Sequence, residues 1–202
     1  MVEIVQCRVG SDNFSYLVAC PATAQAMGVD PGRDPEVLLG EVRRRRLKLV
    51  VLSNTHGHAD HTAGNAAVLA ATGARHAAHP ADLPGVELPL GEGSVLTVGN
   101  LKVAVLHTPG HTPGSLVFHV DDALLTGDTL FVSRCGRADL PGSDPAALYH
   151  SLVRLGALPG STRVYPGHDY GPQPISTIGW ERANNPYLRC PDLTSFIQMR
   201  MG

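Results

Sequence analysis

The segment Thr55-His56-Gly57-His58-Ala59-Asp60-His61 puts three imidazoles and a carboxylate within six residues. Imidazole nitrogen and carboxylate oxygen are donors that zinc and iron accept. In an extended stretch alternate side chains share a side, so His56 and His58 face one point. The chain then turns, and Asp60 and His61 face a second point nearby. One short loop can thus feed two adjacent metal ions. More donors follow at longer range: His111 after Thr108-Pro109-Gly110, Asp128 after Thr126-Gly127, and His168 after Pro166-Gly167. Each stands just past a predicted strand, with glycine or proline beside it. Loops on the rim of a rigid sheet converge well on one site.

The elements that must position these loops are legible from pattern. Residues 2–9 and 14–20 predict two strands joined by Gly10-Ser11-Asp12-Asn13, and 24–29 predicts a third. Asp34-Pro35-Glu36 opens a helix, with Asp as cap, Pro in the first turn and Glu at the positive end. It ends in Arg43-Arg44-Arg45-Arg46, cations that suit a helix C-terminus in solvent rather than a nucleic-acid surface. Residues 47–53 predict a buried strand, and 62–73 an Ala-rich helix closed by Gly73. Strands are predicted at 94–98 and 101–107 around Gly99-Asn100, and at 115–120 and 123–127 around Asp121-Asp122. Asp144-Pro145 caps a helix through Leu155. A last strand at 162–166 and helices near 176–184 and 192–200 complete the chain. The hairpins exclude a purely parallel sheet.

Composition bounds the classes of function. A chain of 202 residues with 43% hydrophobic content suits one domain, 1–202, with a short helical segment from about residue 170. The net charge of -2 leaves no basic excess for phosphates, so no nucleic-acid partner is expected. No run approaches the roughly 20 apolar residues of a membrane span. Cys7, Cys20, Cys135 and Cys190 lie far apart, which excludes a zinc ribbon and a disulfide scaffold and predicts a reducing, cytoplasmic location. Ten histidines beside four cysteines point to a histidine-based metal site.

The motifs His-X-His-X-Asp-His, His111 in HTPGHTPGS, Asp128 in TGD and His168 in YPGHD together resemble the metallo-β-lactamase-fold superfamily. The resemblance extends to Val29-Asp30-Pro31-Gly32, Ser176-Thr177-Ile178-Gly179 and Asn185-Pro186. Within the superfamily the chain looks most like the glyoxalase II-like hydrolases and their relatives, the persulfide dioxygenases. The resemblance implies an α/β (α+β) fold, a four-layer αββα sandwich with mixed sheets. It implies one metal on His56, His58 and His111, a second on Asp60, His61 and His168, and Asp128 bridging both. The cofactors implied are two divalent ions, zinc before iron or manganese. Asp60 and Asp128 are then catalytic as well as ligating, and a metal-activated water attacks a hydroxyacyl thioester of glutathione or a similar thiol. In the dioxygenase alternative a single iron sits on His56, His111 and Asp128. A metal-binding protein without catalysis is a third class, disfavoured because a structural zinc needs only four closed ligands. The aspartate of TGD, where class B β-lactamases often use a cysteine for the second metal, argues against that class, and 202 residues leave no space for the nucleases' inserted domain.

The same likeness places Ser133-Arg134-Cys135-Gly136-Arg137-Ala138-Asp139 near the substrate channel. Arg137 offers a guanidinium to a substrate carboxylate, with an internal pair to Asp139 as the competing role. Tyr170 is a candidate pocket-lining residue. Cys135 lacks an activating base and is not expected to be a nucleophile. His76, His79, His107, His119 and His150 lack ligand spacing, and His107 and His119 are expected to be hydrogen-bonded structural groups. The short segment after His168 predicts a reduced grip on glutathione, which leaves another small thiol or coenzyme A as carrier. The partner expected is a small-molecule thioester or thiol-linked substrate, and the protein is expected to be a monomer or homodimer.

Overall fold

The computed structural model describes residues 1–202. A six-stranded sheet runs in the order β1 (Glu3–Val9), β2 (Asn13–Cys20), β3 (Gln25–Val29), β4 (Lys48–Ser53), β5 (Arg75–Ala78), β6 (Leu88–Pro89). A second six-stranded sheet is ordered β14 (Ser176–Thr177), β13 (Arg163–Pro166), β10 (Ala123–Gly127), β9 (Leu116–Val120), β8 (Leu101–His107), β7 (Val95–Val98). A small hairpin, β11 (Leu130–Phe131) and β12 (Arg134–Cys135), stands apart. Both large sheets are mixed: β3–β4 and β10–β13 are parallel, while β1–β2 and β8–β9 are antiparallel.

The residues of β2 show why four layers form. Side chains alternate across a strand. Phe14, Tyr16, Val18 and Cys20 enter the core between the sheets, where they meet Leu116, Phe118 and Val120 of β9. Leu17 and Ala19 point the other way, onto Leu38, Leu39 and Val42 of helix α1 (Pro35–Arg44) and Val68 of α3 (Asn65–Thr72). On the far side Val117, Leu124 and Val164 bury against α4 (Pro145–Gly156), α5 (Ile178–Asn184) and α6 (Leu193–Met201) through Leu148, Leu152, Ile178 and Phe196. Strands buried on both faces need near-continuous apolar runs, and β2 and β10 have them. The result is the expected αββα sandwich.

Several elements differ from expectation. The predicted helix at 62–73 is two helices, α2 (Ala59–Thr62) and α3, broken at Gly64, where an added Cβ would lie 2.7 Å from the Gly32 carbonyl oxygen. The break lets α2 carry Asp60 and His61 directly off the His58 loop. Asp34 makes no side-chain cap, whereas Asp144 accepts from the Ala146 and Ala147 amides as predicted. Strands β5, β6, β11 and β12 escaped pattern reading because they span two to four residues. Ser176 and Thr177 form β14, and Thr177 caps the helix that follows. No helix is long and apolar enough to cross a membrane.

Candidate metal centre

The parallel pairings set the rim. β3 and β4 end side by side at Val29 and Ser53, and β10 and β13 at Gly127 and Pro166. The loops beyond them carry Asp30, His56, Asp128 and His168, and the loop after β8 adds His111. The two sheets meet there. The Leu116 amide donates to the Thr55 carbonyl at 2.7 Å, and the Phe14 amide to the Gly167 carbonyl at 2.8 Å.

Seven expected ligands are brought together. His56 Nε2 and His111 Nε2 each lie 3.0 Å from His58 Nδ1. A second triplet is formed by Asp60, His61 and His168, with His61 Nε2 3.2 Å from His168 Nε2 and Asp60 Oδ2 3.4–3.5 Å from both. Asp128 faces both triplets: its Oδ2 is 3.5 Å from His111 Nε2 and 3.4 Å from His168 Nε2, and its Oδ1 is 3.4 Å from His61 Nε2. Ligands at 2.0–2.1 Å from a tetrahedral zinc are themselves about 3.3 Å apart. The observed spacings match that figure.

Hydrogen bonds to the outer ring nitrogens decide which way the lone pairs point. Thr55 donates both its amide and its hydroxyl to Asp30, at 2.8 and 2.6 Å. With that hydroxyl proton used, His56 Nδ1 must donate to Thr55 Oγ1 at 3.1 Å. His61 Nδ1 donates to Asp30 Oδ2 at 3.1 Å, and His111 Nδ1 to the Arg137 carbonyl at 2.9 Å. Neutral rings assigned this way keep Nε2 unprotonated and aimed inward, the arrangement a metal needs. Asp128 Oδ1 and His168 Nδ1 are buried with no hydrogen-bond partner. A buried carboxylate oxygen without a donor is costly, and a divalent cation would satisfy it. The donor set therefore fits metal ions, and Asp30, whose oxygens are already occupied, holds ligands rather than being one.

The charges agree. Burial opposes protonation of His61, yet Asp128, Asp30 and Asp60 outweigh it and carry the imidazole up to about 9. Burial likewise opposes protonation of His168, and Asp128 and Asp60 carry it up to about 10. His168 beside Asp60 holds that carboxyl far below the usual range. Burial would raise Asp128, but His61 and His56 hold it far down. Burial, then neighbouring His61, lowers His56. Protons thus occupy the second triplet at neutral pH when no metal does, and metal must displace them. Zinc added to metal-free protein at pH 7 should release about two protons per chain, and fewer as pH rises through 9–10. A pH-stat titration beside metal content reads this; two bound ions with no release would mean that His61 and His168 carry no proton to displace at pH 7, and no release with fewer ions that they do not ligate.

The remaining candidates fall around the rim. Tyr170 is 44% exposed, and its ring stacks on His168 at 4.7 Å and 6°. Arg137 is exposed and pairs bidentately with Asp139 at 2.7 and 3.0 Å, the competing role foreseen for it. Cys135 is buried and its thiol is pushed up to about 12 by that burial, as suits an unreactive residue. His107 Nε2 donates to the Pro113 carbonyl and its ring stacks on His79, a structural role. Sequence reasoning assigned no role to Asp30, Asn13 or Asp82. Asp30 follows β3 and precedes Pro31-Gly32, the same strand-end signature as the ligands, and that signal could have found it. Asn13 donates to Asp60 Oδ2 at 3.0 Å from the tip of the β1–β2 hairpin.

Comparison with known proteins agrees with this geometry. The sequence model described as the metallo-beta-lactamase superfamily matches residues 10–168. The hydroxyacylglutathione hydrolase of Maricaulis maris is 38% identical over 229 aligned positions, covering 95% of this chain and 88% of that one. With the hydroxyacylglutathione hydrolases of Polaromonas sp. and Nitrosococcus oceani the match is 43% and 40% identical and takes in 78% of this chain and 62% of each of theirs. Among solved structures, ETHE1 from Myxococcus xanthus superimposes with a TM-score of 0.93 at 32% identity, over 100% of this chain and 90% of that one. TTHA1623 in a di-iron-bound form superimposes with a TM-score of 0.80 at 34% identity, over 91% of this chain and 99% of that one.

Proposed function

The chain belongs to the metallo-beta-lactamase superfamily, and from that premise we propose that it is a metal-dependent hydrolase cleaving a hydroxyacyl thioester of glutathione or a similar thiol. The observation that carries the reading is Asp128, a buried carboxylate 3.4–3.5 Å from imidazole nitrogens of both triplets. A purely structural site has no use for a second triplet sharing one carboxylate with the first. His56, His58 and His111 would hold one ion and Asp60, His61 and His168 the other, with Asp128 placed to serve both. The relatives named hydroxyacylglutathione hydrolase support the substrate class.

Ions bound there would supply an activated water at neutral pH and a Lewis acid for the acyl carbonyl. The chain's own residues do the rest. The Asn13 amide pins Asp60 Oδ2, so Asp60 would present a fixed carboxylate face to orient the attacking water. Asp30, Thr55 and the Arg137 carbonyl keep three imidazoles from rotating. A thiolate leaves without a general acid, so no further acidic group is needed. Tyr170, on the exposed face of His168, lines the substrate's approach, and Arg137 can offer a carboxylate of the thiol carrier one side of its guanidinium only by loosening its pair with Asp139.

Zinc is the proposed metal on donor chemistry, and the di-iron-bound neighbour supports iron as the alternative. A second reading, a mononuclear iron persulfide dioxygenase acting on glutathione persulfide, rests on the resemblance of the motifs to that family, and the near-complete overlap with ETHE1 from Myxococcus xanthus is compatible with it. There His56, His111 and Asp128 form a two-histidine, one-carboxylate face. The proposal includes a cytoplasmic location and a monomer or homodimer. Metal analysis of protein purified without chelator, with a thioester-hydrolysis assay, tests the main reading. About two ions per chain and thioester turnover are expected. One iron with oxygen uptake on a persulfide and no hydrolysis overturns it.

A further inference from the structure

Asp82 belongs to neither ligand triplet, yet its carboxylate fastens two of the loops that carry them. It sits on the turn after β5, on the side of the first sheet. Its Oδ2 accepts the Gly57 amide at 2.9 Å and the Thr112 hydroxyl at 2.6 Å, and its Oδ1 accepts the Gly114 amide at 2.8 Å. Gly57 lies between His56 and His58, on the loop from β4 of the first sheet. Thr112 and Gly114 follow His111, on the loop from β8 of the second. Three charge-assisted bonds from one side chain therefore join the two loops that must meet to make a three-histidine face.

The glycines are shaped to this carboxylate. A Cβ on Gly114 would lie 2.6 Å from Asp82 Cγ and Oδ1, and one on Gly57 3.1 Å from Asp82 Cβ. Thr112 is locked in turn: its amide donates to Ser115 Oγ at 3.1 Å, and the two hydroxyls lie 2.7 Å apart. With the Thr112 proton committed to Asp82, the Ser115 hydroxyl donates back to Thr112 Oγ1. The Arg137 carbonyl sets the rotation of the His111 ring, but nothing in that contact sets its distance from His56 and His58. We infer that Asp82 is a positioning residue for the first metal, a clasp that holds His111 at ligand distance from His56 and His58. The inference rests on the reading that these three histidines hold an ion.

Zinc competition against a chromophoric chelator tests it, on wild type, Asp82→Ala, Asp82→Asn, Gly114→Ala and the double variant Asp82→Ala/Gly114→Ala. The melting temperature of each metal-free protein is measured alongside. Asp122→Ala, which breaks the exposed pair with Arg163, serves as control. Asp82→Ala and Gly114→Ala should each weaken the first zinc roughly 10–100-fold, the usual scale for residues that orient ligands. Asp82→Asn keeps one acceptor oxygen and should fall between. The double variant should bind no worse than either single, since the alanine methyl acts by displacing a carboxylate that is no longer there. Wild-type zinc affinity in Asp82→Ala and Asp82→Asn overturns the clasp, as does a fully additive loss in the double variant or a lowered metal-free melting temperature without change in affinity. A wild-type chain that binds no zinc overturns the site reading and the clasp with it.

Discussion

Asp128→Ala should lose both metals and with them hydrolysis, by at least the roughly 10²–10³-fold that follows removal of one well-placed electrostatic group. The carboxylate is the one group within 3.5 Å of nitrogens from both triplets. Removing it leaves two cations facing each other across a buried gap with no negative charge between them. The metal-free protein should change as well, because Asp128 offsets the charge of His61 and His168 there, so each variant's own metal-free melting temperature is its baseline. What should vanish is the stabilisation that metal adds, which at 100 times the dissociation constant is about 2.7 kcal/mol. Melting curves with and without zinc, read beside metal content, separate these effects. Two ions and wild-type turnover in Asp128→Ala would show that it does not bridge. Asp128→Asn keeps the shape and removes the charge, so it distinguishes lost electrostatics from a cavity.

The ligands were legible because their signals are local. His56, His58, Asp60 and His61 lie on one short loop, and His111, Asp128 and His168 each follow a strand end marked by glycine or proline. Strands β2 and β10 were legible because burial on both faces demands apolar runs, and β8 because Leu101, Val103 and Val105 alternate into the core. What escaped depends on tertiary partners. Asp30 and Asp82 bind backbone amides and hydroxyls 25–32 residues away, and no spacing rule connects such positions. The two-residue strands β6, β11, β12 and β14 have no period to detect. The break between α2 and α3 is likewise tertiary. Ala-rich sequence favours one continuous helix, whereas Gly64 at the break packs so close to Gly32, Pro35 and Pro31 that a Cβ would not fit.

His168 separates the two enzymes the fold can support. Its Nε2 lies 3.2 Å from His61 Nε2 and 3.4 Å from both Asp60 Oδ2 and Asp128 Oδ2, while the first triplet is complete without it. In the hydrolase His168→Ala should therefore shed one ion, leave the other on His56, His58 and His111, and cut thioester hydrolysis by roughly two orders of magnitude or more. In the dioxygenase the iron rests on His56, His111 and Asp128, so metal content and much of the oxygen uptake should survive the same change. The imidazole also packs edge-on to Phe131 at 5.7 Å and face-on to Tyr170. His168→Gln, which keeps more of that contact, guards against a collapse of the rim mistaken for loss of a ligand. Both variants are assayed for metal content, hydroxyacyl-thioester hydrolysis and persulfide-dependent oxygen consumption. Full hydrolysis in both would retain the enzyme class and remove the second metal from its mechanism. Unchanged iron and oxygen uptake, in a wild type that hydrolyses no thioester, would assign the chain to the dioxygenases, because only there is His168 a neighbour of the metal rather than its ligand.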